Sequence, residues 1–315
     1  MVPDATFTSY YGRPVLKASP WEADIPAYLF LGGLAAGSSL LGAGAQLSGR
    51  PALRRVGRIG ALGAISVSFA ALVHDLGRPA RFVNMLRVVK VTSPMSVGTW
   101  ILSVYGPLAG LAGAAELIEP VTERLPRSLR GPARLLLAVA PAAGLGAAAV
   151  APAVASYTGV LLADTATPTW HGAYRELPFV FVGSAAAAAG GLGMALSPTE
   201  ESAPARRLAL GGAALELAAS EQMSRSLGLA AEPLHAGPSG RLIRASKALT
   251  AAGAAGSLLA GRSRIAGVLS GLSLLAGSAL TRFGIFEAGQ ASARDPRYTV
   301  VPQRERIERG EVVGA

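Results

Sequence analysis

Tyr157, within SYTGVLLADTATPTW, the adjacent His74 and Asp75, and His171 beside Trp170 are the side chains best suited to hold or move protons next to an apolar ligand. A flat ligand with two carbonyls, such as a quinone, is gripped by an aromatic-lined cleft with a hydroxyl or imidazole donor at each end. Tyr157, with His171 or His74, has that chemistry. Imidazole titrates near neutral pH, so His74 and Asp75 together could pass a proton at a surface. Plainer roles compete. A tyrosine near the end of an apolar run anchors it at a membrane interface, and Asp75 can pair with Arg78 to close a helix ahead of Pro79.

A second group lies far along the chain. Glu221 and Arg225 stand four apart with the acid first, the favourable order for an ion pair on one helix face. Glu216 has no such partner in its own segment and needs one from a neighbour, or has to hold a proton. A proton path through Glu216, Glu221 and Arg225 is the functional reading, and a packing contact inside a helix bundle is the plain one. The three histidines do not favour haem, because axial ligands face each other from within helices and only His74 is near an apolar span. No two histidines have metal-ligand spacing. With no cysteine in 315 residues, thiolate-held zinc and iron–sulfur clusters are excluded within this chain.

What must position these residues is a set of apolar blocks. The chain is 51% hydrophobic and 15% charged, and its apolar residues run in stretches longer than a soluble helix buries. A bilayer core about 30 Å thick needs about 20 apolar residues per helix. Eight windows fit: about 25–47, 56–76, 97–118, 132–163, 177–196, 205–227, 242–260 and 265–286. The fold expected is an all-α polytopic membrane protein with eight transmembrane helices. Residues 1–24 form an extramembrane segment, 25–287 the membrane domain, and 288–315 a charged tail, disordered or used for docking. Residues 1–20 lack an apolar core, so no cleaved signal peptide is expected. The fourth window holds Pro141 and Pro152, which should kink it or break it near its far end. The net charge of +10 comes from short basic clusters between spans, which suits membrane lipid and topology, not nucleic acid.

Eight spans put both termini on one side, with the Arg78-to-Lys90 loop and the loop carrying Trp170 and His171. Trp21, Trp100 and Trp170 all fall there. An aromatic belt serving only as an anchor would appear at both interfaces, so this rim is the expected working face. The short loops opposite are rich in arginine, which makes that side cytoplasmic and the termini extracytoplasmic.

The segments WEADIPAYLFLGGLAAGSSLL (21–41), HDLGRPARFVNML (74–86), SPMSVGTWIL (93–102) and SYTGVLLADTATPTW (156–170), followed by LPFVFVGSA, occur in an order that resembles the NrfD-type membrane subunits of polysulfide reductase and related complexes. The resemblance covers most of residues 21–290. It implies two four-helix bundles, no haem or metal in this chain, and a plasma-membrane location. It also implies a docked iron–sulfur subunit with four clusters, often with a molybdenum or tungsten (molybdopterin) catalytic subunit beyond it. Carried over, the quinone pocket involves Tyr157 with Glu22, Asp24 and Tyr28. Arg78, Trp100, Trp170 and His171 complete the expected binding set, and His74, Asp75 and Tyr157 the catalytic one. The function expected is electron passage between the iron–sulfur subunit and menaquinone. A proton or solute transporter and a non-catalytic membrane anchor are the alternatives.

Overall fold

Proline in a first helical turn, where its missing N–H would find no partner anyway, opens most of the long helices. It stands at the start of α2 (Pro51–Asp75), α4 (Pro94–Ile118), α7 (Leu177–Leu196), α8 (Ala203–Ser226) and α10 (Gly237–Ser257). The other long helices are α1 (Asp24–Leu47), α5 (Arg127–Ala163) and α11 (Arg264–Arg294). Short helices α3 (Arg81–Met85), α6 (Pro168–Gly172) and α9 (Glu232–His235) sit in connections, and α12 (Arg297–Glu308) closes the order. The computed structural model describes residues 14–310, and no strand occurs among the described residues. The first part of the expected N-terminal segment and the end of the charged tail lie outside the described residues.

Among the described residues, six helices are long and apolar enough to cross a membrane: α1, α2, α4 with the turn that follows it, α5, α7 and α11. Their outward faces carry Val67, Val104, Leu135, Val160, Phe179 and Leu269, all more than 40% exposed. So much outward apolar surface needs lipid as solvent, and the chain is a multi-pass membrane protein. Helices α1 and α7 are central, with 78% and 72% of their most apolar windows buried against 28% for α5. Helix α1 packs on α2, α5 and α7; α4 lies against α2 and α5; α7 is flanked by α8 and α11; and α10 packs on α11 and α8. Small residues let these backbones approach. A Cβ on Gly212 of α8 would fall 2.4 Å from the Ala187 nitrogen of α7.

Helices α8 and α10 are not among the six, yet α8 runs between the same two ends. Just before it, the Glu201 carboxylate accepts the Leu53 N–H at 2.9 Å. Just after it, the Ala230 carbonyl accepts from Thr169 Oγ1 at 2.8 Å. At the end where α1 stops and α2 starts, Glu116 accepts from Arg54 Nε at 2.7 Å and from Arg58 Nη1 at 2.9 Å, with Arg58 and Glu116 both buried.

Two expectations are corrected. Of the kink or break expected in α5, the break does not occur: the helix is continuous over 37 residues with Pro132, Pro141 and Pro152 inside it, because each proline removes one N–H and leaves the rest of the ladder. The last long helix passes 287 to Arg294, and residues 297–308 are helical, not irregular. Packing explains both. Gln290 Nε2 donates to the carbonyls of Ser19 and Trp21 at 3.0 and 3.2 Å, and Arg297 Nη2 bonds the Glu232 carboxylate at 2.5 Å.

Candidate functional site

Helix α2 ends at Asp75, and Gly77, at φ +66°, turns the chain out of it. Only glycine takes that left-handed conformation without strain. The segment that follows folds back across the ends of α2 and α4 through exposed α3. Ser96 holds it by accepting the Lys90 N–H at 2.9 Å and donating to the Val88 carbonyl at 3.0 Å. Trp100 Nε1 donates to the same carbonyl at 3.3 Å.

Beneath this cover lies a cavity of about 90 Å³. Its lining includes Trp21, Ile25 and Tyr28 from α1 and the segment before it, Leu72 and Asp75 from α2, Met85 from α3, Met95, Gly98, Thr99 and Leu102 from α4, and Tyr157 from α5. The Tyr28 and Tyr157 hydroxyls are hydrogen-bonded to each other, and both residues are buried. Two hydroxyls in mutual contact use one proton between them, which leaves one donor for a third group. Gly98 makes room for the tyrosine: a Cβ there would sit 2.4 Å from Tyr157 Cε2. Asp75 is half-buried and lies beside Glu22. At the rim, His74 Nδ1 donates to Asp24 Oδ2 at 2.7 Å. No histidine lies near the first span in sequence, but one reaches it from the end of α2.

The structure brings together Tyr28, Tyr157 and Asp75 in the lining, with Asp24, His74 and Glu22 beside it. It leaves the others elsewhere. Arg78 is exposed beyond Gly77, and Trp100 is 38% exposed in the cover. Trp170 is fully buried, its Nε1 donating to the Ile285 carbonyl at 2.8 Å and its ring between Trp21 and Phe286. His171 Nδ1 donates to the Ala163 carbonyl at 3.0 Å, and the residue lines a separate surface groove of about 820 Å³ that runs to Tyr298 and Arg306. That groove is larger but open, and it lacks a buried hydroxyl pair. Sequence reasoning missed Trp21, Met85, Met95, Gly98 and Thr99 as lining. The helical spacing of Met95, Gly98, Thr99 and Leu102 was the available signal.

Glu216 lies far from the cavity. Its Oε1 accepts from Thr281 Oγ1 at 2.5 Å, and Thr281 is in turn 2.5 Å from Ser246 Oγ. Its Oε2 has no hydrogen-bond partner, and neither do Nε and Nη1 of buried Arg282. Arg282 donates to the Phe181 carbonyl at 2.8 Å and stacks 3.8 Å over that ring. Glu221 pairs with Arg225 at 3.1 Å on an exposed face, with Lys247 3.8 Å away.

The profile of the family described as "Polysulphide reductase, NrfD" matches residues 15–203, which takes in α1 to α7 and every residue of the cavity lining. No curated protein matches the chain.

Proposed function

The chain belongs to the polysulphide reductase NrfD family, and from that premise we propose that it is the quinone-reactive membrane subunit of an iron–sulfur oxidoreductase complex. The observation that carries this reading is the apolar cavity at one membrane rim, with the paired Tyr28 and Tyr157 hydroxyls and Asp75 in its wall. A menaquinone-type head binds there, one carbonyl taking the hydroxyl proton that the tyrosine pair leaves over. Quinol oxidation releases two electrons and two protons. The electrons go to a cluster in a docked four-cluster iron–sulfur subunit, because this cysteine-free chain has no thiolates to hold one. Asp75 receives the two protons in turn, and the Asp24–His74 pair at the rim passes each to water. Glu22 borders that rim and Trp100 pins the segment that covers it, whereas Arg78, Trp170 and His171 lie outside it.

Eight crossings in two four-helix bundles complete this reading. Helices α1, α2, α4 and α5 make one bundle and α7, α8, α10 and α11 the other, in the plasma membrane with both termini extracytoplasmic. Helices α8 and α10 cross in spite of their charges because Glu216 is turned inward toward Thr281 and Arg282. Glu216, Glu221 and Arg225 mark a proton path there, the feature that also favours a second reading as a proton transporter. A molybdenum or tungsten catalytic subunit beyond the iron–sulfur partner sets the final substrate.

The test is quinol turnover by the purified complex carrying Tyr157→Phe together with Asp75→Asn. Turnover falls at least tenfold while subunit composition is unchanged. Undiminished turnover overturns the site, and proton flux by the isolated chain in liposomes without quinol supports the transporter reading instead.

A further inference from the structure

On the outer side of Tyr157 lies a groove of about 330 Å³ between α4 and α5. Its walls are Val97 and Ile101 of α4 and Ala153, Tyr157 and Val160 of α5, and no other long helix contributes to it. Tyr157 therefore lines both this groove and the cavity of about 90 Å³ within. Ser156, the one hydroxyl on the α5 wall besides Tyr157, donates to the Pro152 carbonyl of its own helix at 2.8 Å, so it offers that bond to nothing outside. Val160 is 45% exposed, and α5 is the least buried of the six apolar helices, so the groove opens to lipid. From Asp164 at its polar end to Ala153 it descends about 16 Å along the helix. The inner cavity is smaller than the ~300 Å³ at which pockets for whole ligands begin. It admits a head group, and a long chain attached to that head has to lie elsewhere.

We propose that the α4–α5 groove seats the isoprenoid tail of the quinone whose head occupies the inner cavity, so that the ligand enters sideways from lipid, past Tyr157. This rests on the quinone reading above and adds the route and the preference for a tailed substrate. The apolar walls suit an alkenyl chain, and Tyr157, the one wall common to groove and cavity, is all that separates the tail from the head, so its ring has to swing aside for the head to enter.

The experiment uses the whole complex in nanodiscs with two quinols, one carrying a long isoprenoid tail and one the tail-less dimethylnaphthoquinol. Ala153→Trp and, from the opposite wall, Ile101→Trp fill the groove, and Val104→Trp on the exposed face of α4 is the control. Either groove variant raises KM for the tailed quinol tenfold or more and leaves the tail-less one within twofold; the control changes neither. Equal effects on both quinols, or none on either, overturn the proposal. With the unaltered protein, a quinone bearing a photoreactive group on its tail labels residues 97–101 and 153–160. Labelling elsewhere, which leaves the groove to ordinary lipid chains, also overturns it. Failure of the unaltered complex to turn over either quinol refutes the quinone site itself and is recognised separately.

Discussion

Tyr28 and Tyr157 are the groups on which quinone chemistry would turn, and their neighbours set how. Tyr28→Phe removes one hydroxyl of the pair, and quinol turnover should fall by roughly one to two orders of magnitude, since a lost hydrogen bond to a ligand costs about 1–3 kcal/mol. Gly98→Ala is a subtler probe. The added methyl meets the Tyr157 ring, so steady-state kinetics should show raised KM and lowered kcat with the fold intact. At the other end of the same helices, Glu116→Ala leaves buried Arg58 without its carboxylate. That should cost about 3–5 kcal/mol, read as a lower unfolding midpoint in detergent, and the double variant with Arg58→Met should recover much of it. Tyr157 and Asp75, which the structure brings to one cavity, could be singled out in the sequence because an ionisable or hydroxyl group beside an apolar run has few uses. Trp170 was misleading for a physical reason: a tryptophan in a loop sequence reads as interfacial, whereas here it fills the gap between Trp21 and Phe286.

Helices were legible where apolar length alone marks them. The windows 56–76 and 97–118 fall within a few residues of α2 and α4, which Pro51 and Pro94 open. Short α3, α6 and α9 were not foreseen, because four or five residues carry no periodicity to read. Helix α12 was missed because charged residues such as Arg304 and Glu305 look like a solvated tail, and its anchor, Arg297 on Glu232, joins residues 65 apart in the chain. The α7–α8 contact depends on glycine. Gly212→Val drives a side chain into the α7 backbone at Ala187 and should destabilise by about 1–3 kcal/mol or more. Circular-dichroism melts of the solubilised protein check it, with Gly211→Val, where nothing lies within 4 Å of the added Cβ, as the tolerated comparison.

For the whole molecule, the decisive quantity is how many times the chain crosses. The absence of cysteine makes it a ready host for single cysteines and membrane-impermeant thiol reagents. With eight crossings, cysteines at positions 87, 172 and 228 react from one side and those at 124, 200 and 262 from the other. If α8 and α10 lie along the surface, 200 and 228 react from the same side. The sequence windows and the structure differ most over these two helices. Their charges lower their apolarity, and only the inward hydrogen bond from Thr281 to Glu216 shows how such residues are sheltered. One feature reaches beyond this chain. Because the paired tyrosines, Asp75 and the His74–Asp24 contact crowd a single end, on the proposed reading a carrier oxidised there, with its iron–sulfur partner docked at that end, would hand its electrons and protons to the same compartment. Such turnover would be electrically silent, and any voltage the assembly builds would then have to come from charge carried across the opposite half of the protein.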